Sequence, residues 1–424
     1  MNLVTQRSHH PLRLGGEPLE KTALEVMEAV LWAHSLSRST LLGRLECSKS
    51  KLGSTVAELL DAGLLEEVGL TSSSGGRKAE MLSIHPGLGV LLAVDLGATH
   101  LNMALLSPNL GVLCHHHEAL DVRLGPSAGM ARIKAVLKLL LAQQGLSRSS
   151  ILAVGMGVPG PVDFGSGLLV HPPIMPGWEG FSVRDDLAST LEAPVFVDND
   201  VNVLALAELW QRQRFAQNFI VVKVSTGIGC GIVCAGQIYR GSNGAAGDVG
   251  HICVDPLGPL CHCGNAGCVE AMAAGPALAR NGQRAAEQGE SRLLAEYLQA
   301  GEAITVQQVG RASREGDAVA SALIQRSGKL VGQMLASLVN FFNPSHIVLA
   351  GGLTRLGPLW LASIRQSVYR RSLPLSTRHL DISLSALEPQ GGSQGNPQGS
   401  QQGGLIGAGV LGLLSCIRSG GDKL

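Results

Sequence analysis

The stretch GHICVDPLGPLCHCGNAGCVE, residues 250–270, places three cysteines and a histidine in the spacing H-x9-C-x-C-x4-C. Three thiolates and an imidazole satisfy a tetrahedral zinc ion with no open position, so the expected site is structural. Gly264 and Gly267 allow the chain to turn tightly around a metal. We predict these zinc ligands: His251, Cys261, Cys263 and Cys268. Cys253 and His262 are the competing ligands within the stretch, and ordinary loop cysteines are the alternative to a metal site.

The composition predicts a cytoplasmic protein of two or three domains. The chain has 424 residues, 45% hydrophobic and only 3% aromatic, with 55 glycines, which suits helices and sheets joined by tight turns. The formal net charge is zero, so any case for nucleic acid must be local. No apolar signal-peptide core and no run of about 18 apolar residues is present, so no membrane partner is expected. Without an export signal, clustered cysteines favour metal over disulfides.

The N-terminal part predicts a winged helix-turn-helix. Residues 1–19 are polar and predict a flexible arm. Residues 20–86 then show three helical segments followed by two short strands around a Gly-rich basic tip. Ser37 and Ser48 are the expected caps of the second and third helices, and Gly63 ends the third.

Polar and basic residues fall where a winged helix meets DNA. The first turns of the third helix carry Lys49, Ser50, Lys51 and Ser54. Arg38 and Arg44 on the second helix suit backbone contacts, and Arg77 and Lys78 at the wing tip suit a minor groove. We therefore predict a double-stranded DNA operator as partner. The alternative is a winged helix used for dimerisation or protein contact.

From residue 89 to residue 424 the pattern predicts an α/β domain. Strand hairpins alternate with helices in two halves, which indicates two lobes and a cleft. Residues 389–404 are rich in Gln, Gly and Ser and predict a low-complexity, mobile insertion. His115 and His117 share one face of a predicted strand, where an exposed strand end is favoured over a metal site.

The GH-x9-CxCGxxGCxE pattern resembles the ROK family (repressor, open reading frame, kinase), and the resemblance covers the winged helix and residues 89–416. Members are sugar kinases or sugar-responsive transcription regulators, and the winged helix is typical of the regulators. The resemblance implies a two-lobed, actin-like ATPase fold that resembles sugar kinases.

Transferred position by position, the resemblance implies a nucleotide site and a sugar site. The residues matching the nucleotide motifs, where ATP and Mg²⁺ would bind in a kinase, are Asp95, Gly97, Thr99, Thr226, Gly227, Gly229, Gly351 and Gly352. The residues matching the sugar pocket are Asn199, Asp200, Asp248, His251 and Glu270. Asp200 matches the catalytic base of the kinases, and His251 would serve zinc and sugar together.

Several departures from the kinase pattern indicate an eroded nucleotide site. Ala98 and His100 alter the first phosphate motif, Ser225 and Cys230 replace usual glycines of the second, and Ile174 replaces an asparagine of the sugar loop. We therefore expect a sugar-responsive regulator, acting as a repressor and assembled as a homodimer or homotetramer, in which a hexose or derivative closes the two lobes. An ATP-dependent hexose kinase with an accessory DNA-binding domain is the alternative, because the catalytic aspartate is retained. A structural adaptor has little support.

Overall fold

The computed structural model of the chain describes residues 12–14, 17–70, 80–191, 193–213, 216–387 and 402–419. Arg77 and Lys78 at the predicted wing tip and residues 389–401 of the predicted insertion lie outside these ranges. The chain divides into two compact units. Unit 1 comprises Met1–Phe215 and Gly404–Leu424, and unit 2 comprises Ala216–Gly403. No helix in the described ranges has the length and hydropathy needed to cross a membrane.

Unit 1 begins with three helices and a three-stranded sheet, in the region that the sequence assigns to a winged helix. Its elements, with the segment before them, are β1 (Arg13–Leu14), β2 (Glu17–Pro18), α1 (Lys21–Ala33), β3 (Leu36–Ser37), α2 (Arg38–Arg44), α3 (Lys49–Asp61), β4 (Leu65–Leu70) and β5 (Glu80–Ile84). The Ser37 hydroxyl accepts the Thr40 N–H at 3.2 Å, and Ser48 accepts the Lys51 N–H at the same distance, as the capping pattern predicts. Gly63 follows α3 with φ 66°, a left-handed conformation that glycine adopts easily.

Two features of this region differ from the sequence prediction. The sheet has three strands in the order β3-β5-β4, because Leu36 and Ser37 pair with β5. A strand of two residues has no periodicity for a sequence pattern to detect. The described part of the expected flexible arm is ordered: β1 pairs with β2, and Leu12 and Leu19 are buried.

The rest of unit 1 is built on a five-stranded sheet in the order β12-β9-β6-β7-β8. Its elements are β6 (Val90–Leu96), β7 (His100–Leu106), β8 (Val112–Ala119), α4 (Pro126–Gln143), β9 (Ile151–Val158), β10 (Val162–Asp163), β11 (Leu168–Leu169), α5 (Val183–Leu191), β12 (Val195–Asn199) and α6 (Asp200–Gln211). The strands β6, β9 and β12 are parallel. The central strands β6 and β9 are almost wholly apolar, as expected for parallel strands that are buried on both faces. The core on one face includes the fully buried Trp178.

Unit 2 contains a second five-stranded sheet, in the order β15-β14-β13-β16-β17. Its elements are β13 (Phe219–Val224), β14 (Ile228–Cys234), β15 (Gln237–Tyr239), α7 (Val269–Ala273), α8 (Gly275–Glu287), α9 (Arg292–Gln299), α10 (Val306–Arg314), α11 (Ala318–Phe342), β16 (His346–Ala350), α12 (Pro358–Arg371), α13 (Pro374–Thr377) and β17 (Asp381–Leu384). The strands β13, β16 and β17 are parallel. The helices α11 and α12 pack together over a core that includes Trp360.

The last helix, α14 (Gln402–Arg418), returns to unit 1. The helix begins inside the stretch 389–404 that the sequence assigns to the low-complexity insertion. Glycines let it approach other backbone closely: a Cβ at Gly155 of β9 would overlap the Ala408 carbonyl, and a Cβ at Gly407 would overlap the Val203 carbonyl of α6. The small-residue composition of α14 is therefore explained by close packing.

Candidate functional site

In unit 1 the predicted ligand residues lie at one edge of the sheet. Asp95 is near the carboxyl end of β6, and Asn199 ends β12, which runs parallel to it through β9. Asn199 is the N-cap of α6: its Oδ1 accepts the Val201 N–H at 2.9 Å, and its Nδ2 donates to the Gly160 carbonyl at 3.1 Å. Asp200 is the first residue of the same helix. Because parallel strands present their carboxyl ends together, this edge is where a ligand of an α/β sheet is expected.

The turn of the first phosphate motif is filled by a side chain of the protein itself. A Cβ at Gly97 would overlap the imidazole ring of His100, so the ring covers the space that the glycine leaves open. The Asp95 carboxylate accepts a 3.0 Å hydrogen bond from Asn102 Nδ2, and Gly404 of α14 lies directly against it. Asp95 is 8% exposed, so its carboxylate is enclosed by protein groups.

Asn102 was not among the residues that the sequence predicted. It faces Asp95 across the β6–β7 hairpin, and it is 1% exposed. Its Oδ1 is also hydrogen-bonded to His117 Nδ1. Two polar residues in register on strands that are otherwise apolar are the signal that could have indicated this pair.

The histidine tract lies on β8, an edge strand, where His115 and His117 are exposed. His116 bonds Glu118 at 2.8 Å, and the Arg132 guanidinium binds the same carboxylate, which lowers the pKa of Glu118 to about 2. Partial loss of solvent around the ring, followed by the neighbouring His100, lowers the pKa of His117. The only cluster of three or more candidate metal ligands within the described residues lies elsewhere, in unit 2.

That cluster consists of the four predicted zinc ligands, His251, Cys261, Cys263 and Cys268, whose ligand atoms all lie within 4.8 Å of one another. Cys263 Sγ is 3.6 Å from Cys268 Sγ, and Cys261 Sγ is 3.7 Å from His251 Nδ1. Tetrahedral zinc with Zn–S about 2.3 Å and Zn–N about 2.0–2.1 Å places neighbouring ligand atoms about 3.5–3.8 Å apart. The arrangement therefore fits a zinc ion, with Nδ1 as the imidazole ligand, and Cys253 and His262 lie outside it.

Two of the three thiols of this cluster, those of Cys261 and Cys268, are in an environment that opposes their ionisation without a cation. Burial raises the pKa of Cys261, and burial with neighbouring sulfur raises the pKa of Cys268 to about 12. The Asn265 backbone N–H lowers the pKa of Cys263. A bound divalent cation would favour all three thiolates, because it supplies the missing positive charge.

The second phosphate loop of unit 2 also has an internal partner. Glu270, in the first turn of α7, accepts the Ile228 N–H through Oε2 at 2.8 Å. A Cβ at Gly227 would lie 2.8 Å from the same oxygen, so only glycine fits beside this carboxylate. Burial raises the pKa of the Cys230 thiol to about 12, so this residue is an apolar wall of the loop.

The remaining predicted residues of unit 2 lie on neighbouring loops. Thr226 lies in the β13–β14 turn and Gly229 is the second residue of β14. Gly351 and Gly352 follow β16, which is paired with β13. Gly351 has φ 93°, and a Cβ there would contact the Val224 carbonyl. Asp248 precedes the short 3₁₀ turn Val249–His251 and accepts the His251 N–H through its carbonyl at 3.3 Å. Asp248 is thus three residues before the cluster residue His251, and Glu270 is two residues after the cluster residue Cys268.

The helix α3, which the sequence predicts to contact DNA, has one buried and one exposed face. The buried face holds Leu52, Thr55, Val56 and Leu59. The exposed face has small residues at i, i+3, i+4 and i+7, namely Ser50, Gly53, Ser54 and Ala57. Lys49 and Lys51 lie on either side of this strip. A helix with a low central strip and flanking cations fits a major groove, since the strip can approach base edges while lysines reach phosphates.

Two predicted DNA contacts are ion-paired within the winged helix. Lys51 Nζ lies 3.0 Å from Glu20, and Arg38 lies 2.7 Å from Glu67 and 4.0 Å from Glu80. All these side chains are largely exposed, so the pairs are weak and can exchange for phosphate.

The fold and the site define a mixed α/β protein with the actin-like ATPase fold of sugar kinases. The sequence profile of the ROK family matches residues 91–398, and the chain belongs to that family.

The relatives of the chain include both branches of the family. It is 29% identical over 355 residues to the DNA-binding transcriptional dual regulator NagC of Escherichia coli, covering 83% of this chain and 86% of the relative. It is 32% identical over 286 residues to a glucokinase of Halalkalibacterium halodurans, covering 67% and 86%. A crystal structure of a ROK family transcriptional regulator, a homologue of the E. coli MLC protein, matches with a TM-score of 0.74 and 25% identity over 94% of this chain and 98% of that one.

Proposed function

We propose that this protein is a sugar-responsive, DNA-binding transcriptional repressor. The observation that carries the proposal is α3, a capped helix whose exposed face combines a strip of small side chains with flanking lysines. This helix belongs to a three-helix, three-stranded domain that precedes the ROK domain. Similarity to a dual regulator and to a glucokinase supports the ROK family but does not separate regulation from kinase activity. The choice between these two functions therefore depends on the residues of the site.

The first phosphate motif supports a regulator over a kinase. The His100 ring lies over the Gly97 turn, and the Asp95 carboxylate is held by Asn102. A phosphate at this turn needs open glycine backbone, and a magnesium site needs an available carboxylate. In this protein the His100 ring covers the glycine backbone, and Asn102 is hydrogen-bonded to the carboxylate.

The proposed effector is a hexose or hexose derivative bound by Asn199, Asp200, Asp248, His251 and Glu270. A sugar hydroxyl that loses water without a new partner costs about 1–3 kcal/mol, so such a pocket must supply donors and acceptors in advance. Glu270 uses Oε2 for the Ile228 N–H, and the second oxygen is the one we assign to a hydroxyl. His251 directs Nδ1 at the metal cluster, which leaves the Nε2 edge for the sugar.

We propose that the metal cluster holds one structural zinc ion. Zinc would fix the loop that carries Asp248 and His251 and would thereby hold the sugar-binding groups in place. Metal analysis should give one zinc per chain, and Cys263→Ser should lose it and lower the melting temperature. Cys253→Ser is the matched control, because Cys253 lies in the same loop but outside the cluster. Equal zinc content in both variants would contradict the assignment.

DNA binding is tested with the full-length protein and a labelled duplex from upstream of its own gene. At moderate salt we expect retention of the duplex and a change of its affinity with glucose, fructose or N-acetylglucosamine. Lys49→Gln should weaken binding and reduce the salt dependence by about one ion per winged helix. Lys138→Gln is the control, an exposed lysine on α4. Absence of binding with and without each sugar would exclude the proposal.

The second candidate function is an ATP-dependent hexose kinase, which one observation favours: Asp200 is kept in the first turn of α6. In that reaction the aspartate would accept the proton of the attacking hydroxyl. A coupled ADP-release assay with the same sugars tests it. Sugar-dependent ADP release that disappears in Asp200→Asn would replace the repressor proposal with the kinase.

We also propose that the protein is a homodimer or homotetramer, because winged-helix regulators bind paired half-sites. Light scattering of the purified protein measures this directly, and a monomer would contradict it.

A further inference from the structure

The winged helix contacts the C-terminal end of α6. The His34 ring stacks on the Trp210 indole, with centroids 4.1 Å apart and planes at 20°. Trp210 Nε1 donates to the Leu31 carbonyl at 3.2 Å. Leu31 is in the last turn of α1, where carbonyls have no partner within the helix. The end of α1 is therefore capped by a side chain from the ROK domain.

A second contact joins α1 to the C-terminal end of α14. Arg418, the last residue of this helix, makes a two-point ion pair with Glu28, at 2.8 and 3.0 Å. Both side chains are partly buried, at 34% and 21% exposure, which favours this pair over an exposed one. Nearby, the Leu12 N–H donates to the Cys416 carbonyl at 3.4 Å.

The opposite ends of α6 and α14 lie at the predicted ligand residues. Asn199 caps α6, and Gly404 near the start of α14 lies against Asp95. The two helices touch through Gly407 and the Val203 carbonyl, with no room for a side chain between them. The 12 residues of α6 span about 18 Å, and the nine from Val201 to Leu209 are buried. Such close backbone contact transmits a displacement instead of absorbing it.

We infer that α6 and α14 form one coupling element that links sugar binding at Asn199 and Asp200 to the orientation of the winged helix, through the Trp210–His34 stack and the Arg418–Glu28 pair. A sugar that engages Asn199 acts on the cap of α6, and its far end holds α1. Since α1 packs against α3, a shift of α1 changes how the recognition helix is presented. The inference rests on the proposed function and deepens it by naming the path of regulation.

The test measures how much sugar binding changes the affinity for DNA. A contact that only stabilises the fold would not alter this change. We measure the Kd of the full-length protein for DNA with and without sugar. The DNA is a duplex enriched from a random-sequence library, and the sugars are glucose, fructose and N-acetylglucosamine. For the effective sugar the wild-type ratio of the two values should fall in the usual allosteric range of about 5- to 150-fold. In His34→Gly and in Arg418→Gln the ratio should fall below about twofold, while calorimetry still detects sugar binding.

These variants are chosen to keep the fold. His34 has φ 66°, which glycine adopts without strain, so His34→Gly removes the ring but not the helix end. His34→Phe retains a stacking ring and should retain the wild-type ratio. Arg292→Gln, which removes an exposed ion pair with Glu296, should also leave it unchanged.

The possible results distinguish failure of the coupling path from failure of the proposed function. A wild-type ratio that persists in both His34→Gly and Arg418→Gln, with sugar still bound, overturns the coupling path and leaves the proposed function intact. A wild-type protein whose DNA affinity responds to none of the three sugars contradicts the proposed function, and the inference falls with it.

Discussion

Replacing Gly53 by alanine should make the winged helix more stable and its DNA binding weaker. Gly53 lies in the interior of α3 on its exposed face, and a Cβ there would meet nothing within 4 Å. Alanine in a helix interior is favoured over glycine by about 0.8–1 kcal/mol, because glycine loses more backbone freedom on folding. This corresponds to a folding equilibrium about fourfold to fivefold more favourable for the domain.

Glycine at position 53 thus makes the domain less stable than alanine would. The proposed contact of this face with the DNA groove explains why glycine is present. The added methyl group lies between Ser50 and Ala57 on the strip assigned to base edges. Displacing one base contact costs about 1–3 kcal/mol, so the DNA Kd should rise by about fivefold or more.

Hydrogen exchange of the α3 amides measures the stability change, and fluorescence anisotropy with the enriched duplex measures the affinity. Gly43→Ala on α2 is the matched control, since a Cβ there also meets nothing within 4 Å and we assign α2 to phosphate contacts. Gly53→Ala with higher protection and unchanged DNA affinity would refute the placement of this face in the groove.

Glu20→Gln should strengthen DNA binding by about twofold to fivefold at low salt, because it frees Lys51 from its ion pair; anisotropy showing weaker binding would contradict this. Glu118→Gln should flatten the pH dependence of stability in acid: the carboxyl pKa is lowered from 4.5 to about 2 by Arg132, so its contribution is present above about pH 4.5 and is lost as the pH falls through about 2. Urea midpoints at pH 7, 4 and 3 measure this, and an unchanged slope in the variant argues against the ion pair as its source. Gly155→Ala should destabilise unit 1 by about 1–3 kcal/mol or more, since its Cβ would overlap a backbone carbonyl; an unchanged urea midpoint would show that α14 can move away.

The local part of this architecture follows from the sequence because its causes are local. The caps Ser37 and Ser48 and the turn at Gly63 determine helix ends within a few residues of themselves. The H-x9-C-x-C-x4-C spacing similarly limits the ligand choice to a short loop, and the four predicted side chains do converge.

The long-range contacts could not be predicted in the same way. Nothing near Trp210 in the sequence indicates a partner in α1, and Glu28 and Arg418 are separated by 390 positions. The boundary near residue 88 that the sequence predicts stays a prediction, and the return of residues 404–424 to unit 1 has no signal in the sequence. His100 could be recognised as unusual, and only the structure shows that its ring covers Gly97.

The return of α14 to unit 1 has a consequence for biosynthesis. Ribosomes release the N-terminal segments first, yet the helix that packs on β9 and holds Glu28 is made after all of unit 2. We therefore expect a nascent chain arrested before Gln402 to contain a winged helix able to form by itself but lacking the Arg418 anchor. Limited proteolysis should cleave unit 1 more rapidly in such arrested chains than in full-length chains. The proposed sugar control of DNA binding would then be acquired only after α14 has been synthesised.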